Sequence, residues 1–249
     1  MCLIAWNWQP GSATPLLLIG NRDEFYARPT EALHHWRDAP VLAGRDTQAG
    51  GTWLGVSYNG RLAALTNYRS PEAARPDAPS RGELVSNFLN SPLDAANYLQ
   101  ALQSHADAYN PFNLLVYDGQ TLLGLESRSA KIVPLQPGIG AVSNADFNTP
   151  WPKLCQLTAG LTTYVESGFN DDAPLWPLLQ TRALAEDAAL PRTGVPLNWE
   201  RALSAAFITS PSYGTRACSV VRVRKAGAHF SEQRFGAEGA MGSTKLDTG

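Results

Sequence analysis

The sequence predicts an α+β protein, with strands at both ends of the chain and helices grouped between them. Three observations carry that expectation. Strand-like runs separated by turn signals fill the first third, helical periodicity occupies the middle, and strands return near the end without an alternating βαβ pattern. The 249 residues, 44% of them hydrophobic, suffice for a sizeable core within one layered domain.

Residues 3–8 are apolar and aromatic, Pro10-Gly11-Ser12 signals a turn, and residues 16–20 form a short buried run. A hairpin of these runs places the chain start beside Asn21-Arg22-Asp23-Glu24. Residues 50–57 and 61–68 flank Asn59-Gly60, the strongest short-range hairpin signal. Ser80-Arg81-Gly82-Glu83 has the form of a capping box, followed by Leu84, Val85, Phe88 and Leu89 at helical spacing. Residues 94–102 read as a second helix, and residues 112–117 and 121–126 as a hairpin around Asp118-Gly119. Helices are expected over 151–161 and 175–190, and closing strands over 219–224 and 229–234. One domain over residues 1–235 is expected, with the Gly-rich segment 236–249 as a flexible tail.

A formal net charge of −2 and the lack of a basic stripe argue against nucleic acid as a partner. The three cysteines, Cys2, Cys155 and Cys218, show no CxxC or CxxH spacing, so neither a disulfide framework nor a metal site is expected. The N-terminal apolar runs, 3–6 and 16–19, are too short for a signal peptide or a transmembrane segment. A soluble, cytoplasmic protein is the expectation.

Removal of Met1 ahead of a small residue would leave Cys2 with a free α-amine. Thiol nucleophile and amine base then sit on one residue, the amine titrating at about 7.7–8.0 when unperturbed. The ordinary alternative is an unreactive cysteine at a chain start. The tetrad Asn21-Arg22-Asp23-Glu24 follows a buried strand, where a carboxylate near a terminal ammonium would fix its position; a solvated turn is the alternative. Asn67, in Thr66-Asn67-Tyr68, and Asn144, in Ser143-Asn144, carry uncharged amide donors suited to an oxyanion hole, though an asparagine in a turn is more often structural. Arg216, in Tyr213-Gly214-Thr215-Arg216, suits holding a carboxylate or orienting Cys2, with a surface ion pair as the alternative.

These segments also carry a resemblance. An opening Met1-Cys2, Asn21-Arg22-Asp23-Glu24, Gly50-Gly51-Thr52-Trp53-Leu54-Gly55, Leu65-Thr66-Asn67-Tyr68, Arg81-Gly82-Glu83-Leu84, Ser143-Asn144 with Thr149-Pro150-Trp151, and Tyr213-Gly214-Thr215-Arg216 occur in this order over roughly residues 1–225. As an ordered set they resemble the NRDE family, named for the tetrad, which includes the Transport and Golgi Organization protein 2 homologues. A more distant similarity is to the cysteine N-terminal-nucleophile (Ntn) hydrolases, such as bile salt hydrolases and penicillin V acylases. That similarity implies a four-layer αββα sandwich with Cys2 as nucleophile. It implies that Asp23, Asn67, Asn144 and Arg216 complete the catalytic set, with Asn21, Arg22, Trp53 and Tyr68 on the substrate side. Those amidases carry an arginine three residues before the aspartate, where this chain has Gly20. Arg22 lies on the same strand face as Gly20 and is expected to supply that charge.

Three functions follow from the resemblance. The first is hydrolysis of a linear amide or related acyl compound, a small-molecule substrate, with no cofactor required. The second is a carrier of haem or acyl-coenzyme A, with Cys2 as an axial thiolate and Trp36, Trp53, Tyr68 and Trp151 walling an apolar pocket; His34, His35, His105 and His229 form no haem-attachment motif. The third is an interaction scaffold without chemistry, in which Asp23, Asn67 and Arg216 do not converge on Cys2.

Overall fold

The computed structural model describes residues 2–249. Two strands open the chain, β1 (Cys2–Trp8) and β2 (Leu16–Phe25), paired so that Cys2 lies opposite Arg22. Seven strands then form an antiparallel meander in chain order: β3 (Thr30–His35), β4 (Val41–Asp46), β5 (Leu54–Ser57), β6 (Leu62–Asn67), β7 (Phe112–Tyr117), β8 (Leu122–Glu126) and β9 (Lys131–Pro134). Helices α1 (Gly82–Asn90) and α2 (Ala95–Gln103) lie between β6 and β7. β10 (Gly138–Val142) returns to pair with β1. Helices α3 (Pro152–Glu166), α4 (Leu175–Leu179) and α5 (Leu197–Ala202) follow, and β11 (Tyr213–Arg224), β12 (Gly227–Gly236) and β13 (Gly239–Asp247) complete a six-stranded sheet in the order β10-β1-β2-β11-β12-β13.

Side-chain alternation divides the core into three seams. Even-numbered residues of the first hairpin (Ile4, Trp6, Trp8, Leu16, Leu18) meet Leu42, Leu54, Leu62 and Leu115 of the meander between the sheets. Odd-numbered ones (Leu3, Ala5, Leu17, Ile19) pack beneath Leu154, Leu157 and Leu161 of α3 and Leu175 and Leu179 of α4. The outer face of the meander packs under Leu84, Val85 and Phe88 of α1 and Leu99 of α2. The layers therefore run helices, sheet, sheet, helices, the αββα sandwich that the resemblance implies.

Several local expectations change. Segment 236–249 is no loose tail: Gly239, at φ +108°, turns the chain, and β13 pairs with β12 from His229–Asp247 to Gly236–Gly239. The stabilisation is main-chain pairing, which composition does not report. The helix expected over 175–190 stops at Leu179, because the following backbone bonds elsewhere: Phe207 N–H donates to the Thr181 carbonyl (2.9 Å) and Ala185 N–H to Ser204 Oγ (3.0 Å). The capping box does not form. Arg81 is the N-cap, and the Glu83 carboxylate instead accepts from the Tyr109 hydroxyl (2.6 Å).

Candidate functional site

Cys2 and Asp23 sit at one end of the β1–β2 hairpin, beside a cleft of about 390 Å³. Cys2 is 6% and Asp23 1% exposed, and both border the cleft with Arg22, Thr52, Trp53, Leu65, Asn67 and Arg81. The Ser143 hydroxyl donates to the Cys2 carbonyl (3.1 Å), fixing the strand end from β10's side. Thr215 Oγ1 donates to Asp23 Oδ1 (2.7 Å) from the neighbouring strand β11. Burial raises the Cys2 thiol above its ordinary range; the Arg22 charge and the Asp23 main-chain N–H, which bonds the sulfur, act the other way. Burial likewise raises the Asp23 carboxyl, opposed chiefly by Lys153.

Glycines let the walls approach this end. A Cβ at Gly51 would strike the Gly82 carbonyl group, so Gly50-Gly51-Thr52 crosses the start of α1 backbone to backbone, with Thr52 N–H donating to the Gly82 carbonyl (3.2 Å). A Cβ at Gly20 would lie 2.8 Å from the Leu3 carbonyl and 3.4 Å from the Trp53 ring. The indole therefore packs over Gly20, the position at which the resemblance to the amidases would place an arginine. Arg22, two residues on, does face the cleft, bonding Thr30 Oγ1 (3.4 Å) and lying 3.9 Å from Asp46.

The remaining tetrad and motif residues divide by strand face. Asn21 points away from the cleft into the helix layer, where its amide donates to the Leu179 and Ala206 carbonyls at 2.7 Å each. It ties α4 and the 203–208 loop to the sheet rather than facing a substrate. Asn144 is fully buried; its amide donates to the Asn67 carbonyl (2.8 Å) and its own carbonyl accepts from Arg69 N–H (2.7 Å). It braces Asn67, which itself borders the cleft. Tyr68 is half-buried outside the cleft lining, its ring 5.2 Å below the Arg128 guanidinium. Arg216 occupies the register shift between Thr215 and Ala217. It borders the cleft, but its Nη1 donates to the carbonyls of Phe25, Tyr26 and Arg28 (2.9–3.1 Å), holding the turn after β2.

Of the aromatic residues expected to wall an apolar pocket, Trp53 borders the cleft. Trp36 is buried under α1 with its indole N–H on the Ala43 carbonyl (3.2 Å), and Trp151 stacks beneath Arg69 (4.6 Å). None of His34, His35, His105 and His229 borders the cleft. Among the described residues, no group of three or more His, Cys, Asp or Glu is arranged to hold a metal, and no helix is long and apolar enough to cross a membrane.

Sequence reasoning missed two members of the site. Arg81 borders the cleft close enough to Cys2 for their charges to interact, with Nη1 on the Pro111 carbonyl (3.1 Å). Lys153, on α3, is 3% exposed near Asp23 and Cys2. Its signal was available: Lys153 lies four and eight residues before Leu157 and Leu161, on the helix's buried stripe.

The fold is shared with solved hydrolases. A Caenorhabditis elegans N-acylethanolamine-hydrolyzing acid amidase ortholog superposes with a TM-score of 0.50 at 12% identity, over 88% of this chain and 92% of that one. In sequence, the chain is 35% identical to the mouse Transport and Golgi organization 2 homolog over 90% of this chain and 88% of that protein. It is 27% identical to the Drosophila melanogaster Transport and Golgi organization protein 2 over 94% and 92% of the two chains. The family model for Transport and Golgi organisation 2 matches residues 1–237, so the chain belongs to that family.

Proposed function

We propose that the chain is an Ntn-type hydrolase of a linear amide or related acyl compound, with Cys2 as nucleophile. The observation that carries this reading is the meeting of Cys2, Asp23 and Asn67 at one end of a cleft able to admit a small molecule. After Met1 removal, Cys2 Sγ attacks the substrate carbonyl, forming a C–S bond while the thiol proton passes to the α-amine. The Asn67 side chain is the candidate donor to the resulting oxyanion. Collapse breaks the C–N bond and returns the proton to the leaving amine; water then cleaves the thioester and restores the thiol. Asp23 orients the α-ammonium. The C. elegans amidase ortholog named above is named for hydrolysing N-acylethanolamines, which makes N-acylethanolamines a first class to screen.

The test is intact mass before and after iodoacetamide. Loss of Met1 and labelling of Cys2 ahead of Cys155, the exposed thiol, supports the reading. Retained Met1 or labelling of Cys155 alone counts against it, and a Cys2→Ala protein with undiminished turnover overturns it.

One observation favours a second reading, a non-enzymatic carrier of haem or acyl-coenzyme A. Arg75, Arg81 and Arg216 all border the cleft, and the hydrogen bonds of their guanidiniums go to main-chain carbonyls, leaving positive charge for an anionic ligand. Haem titration separates the two: a Soret shift lost in Cys2→Ala supports the carrier, and no shift at micromolar haem counts against haem.

A further inference from the structure

Between the end of β6 and the start of α1 the chain runs through Ser70-Pro71-Glu72-Ala73-Ala74-Arg75-Pro76-Asp77-Ala78-Pro79-Ser80 without helix or strand. Five of these residues, Arg75, Pro76, Ala78, Pro79 and Ser80, border the cleft that holds Cys2. The composition gives the segment nothing large and apolar to bury. None of its residues joins a hydrophobic cluster, and 71–77 are exposed. Its proline rings fix φ at about −65°, which stiffens the strap between its ends.

Those ends are tied to a single acceptor. Tyr68 N–H donates to the Pro111 carbonyl (3.0 Å), and Arg81 Nη1 donates to the same oxygen (3.1 Å). Between them the strap is held at one place. Arg75 N–H donates to Asn110 Oδ1 (2.8 Å), and Asn110 Nδ2 donates back to the Arg75 carbonyl (2.9 Å). The Arg75 guanidinium reaches over the same loop, its Nη2 donating to the carbonyls of Asp107, Ala108 and Tyr109 at 2.7–3.0 Å. Among the described residues, every hydrogen bond that joins 70–79 to the rest of the molecule involves Arg75; Pro71 adds a contact with Gly194. A segment with little buried apolar area and one attachment opens at far lower cost than the core.

We propose that residues 70–80 form a lid on the cleft, hinged at the Pro111 carbonyl and clasped by Arg75 and Asn110, so that making and breaking the clasp governs entry to Cys2. The role rests on the reading of this cleft as the ligand site. Cys2 is 6% exposed, so a compound bulkier than the resting opening reaches the thiol only when the strap lifts.

The experiment compares labelling of Cys2 by iodoacetamide and by the bulky, uncharged N-(1-pyrenyl)maleimide in wild type and in the Arg75→Met/Asn110→Leu protein. Peptide mass reads the product, and the exposed Cys155 serves as internal reference. Both replacements keep roughly the native side-chain bulk, so faster labelling reports the lost bonds rather than a vacated volume. The pyrenyl reagent is expected to label Cys2 at least about tenfold faster in the variant, with a smaller gain for iodoacetamide and none at Cys155. An unchanged pyrenyl rate at Cys2 in the folded variant overturns the proposal. Should the variant not fold, amide hydrogen exchange of wild type decides. The Arg75 N–H is expected to exchange at least about a hundredfold faster than the hinge N–H of Tyr68, and equal rates overturn the lid. Labelling needs a thiol and no turnover. A Cys2→Ala protein that stays active therefore removes the nucleophile reading while the lid stands, and unchanged labelling in a Cys2-dependent enzyme removes the lid alone.

Discussion

The helix-facing side of the six-stranded sheet carries two buried charge groups with opposite character. Near one end, Arg222 Nε donates to Asp172 Oδ1 (2.9 Å) and its Nη2 to the Tyr164 hydroxyl (2.7 Å) and the Asp171 carbonyl (3.1 Å). Ser231 Oγ donates to the second Asp172 oxygen (2.8 Å). Near the other end lie Asp23, Lys153 and Arg69; Arg69 Nη1 pairs with Glu200 Oε2 (2.6 Å), while among the described residues the Lys153 amine and Arg69 Nε and Nη2 have no hydrogen-bond partners. Arg222 pairs with Leu17, six residues before Asp23 on β2, about 20 Å along the strand. The same sheet thus closes one ionic group on itself and, beside the other, buries a lysine amine that has no hydrogen-bond partner among the described residues. A closed network specifies a packing, whereas a buried polar atom without a partner is where a sequence departs from its folding preferences.

Breaking the satisfied group should have the largest effect. Arg222→Met leaves Asp172 buried without its cation and is expected to cost about 3–5 kcal/mol in urea denaturation. The folded fraction should alkylate Cys2 at the wild-type rate, since the change lies at the far end of the sheet. Asn21→Ala comes next, because it strips the shared amide from two buried carbonyls, Leu179 and Ala206. A loss of about 2 kcal/mol is expected, read by the same denaturation. Lys153→Met should be milder, below about 1.4 kcal/mol at pH 7, because the amine it removes makes no hydrogen bond among the described residues. A loss as large as that of Arg222→Met would erase the distinction between the two ends.

How much of this was legible in the sequence depends on what held each residue in place. Strand alternation after a clear turn suffices to pair the first two runs and to set Arg22 beside Cys2. The same alternation sends Asn21 to the opposite face, so a tetrad read as one site is divided between cleft and helix layer. Arg216 is displaced by a register shift that no local pattern announces. β3 escapes notice because Thr30, Glu31 and His35 are exposed on an edge strand whose pairing slips between Glu31 and His34. β13 escapes because its stability is main-chain pairing among glycines and polar residues. Lys153 was hidden by its chemistry: a lysine on an apolar stripe invites the assumption that it reaches solvent.

Glu232 extends the comparison to the cleft-facing side of the sheet. Its carboxylate is 5% exposed, accepts from Leu33 N–H (2.9 Å) and borders the cleft. Burial raises its proton affinity; the Leu33 bond and the charges of Arg234, Arg22 and His34 oppose this without cancelling it. A carboxyl whose folded pKa lies above its unfolded value keeps its proton longer in the folded state. The cost of ionising it is therefore absent below the unfolded value and complete once the pH has passed the folded one. Glu232→Gln removes that cost while its side-chain carbonyl still accepts from Leu33. The variant should thus gain on wild type between pH 4 and pH 7.5, by about 1.4 kcal/mol for each unit of the shift removed, as measured by urea denaturation at the two pH values. A gap that does not change with pH would mean that Arg22 and Arg234 compensate Glu232 fully, placing it with Asp172 rather than with Asp23.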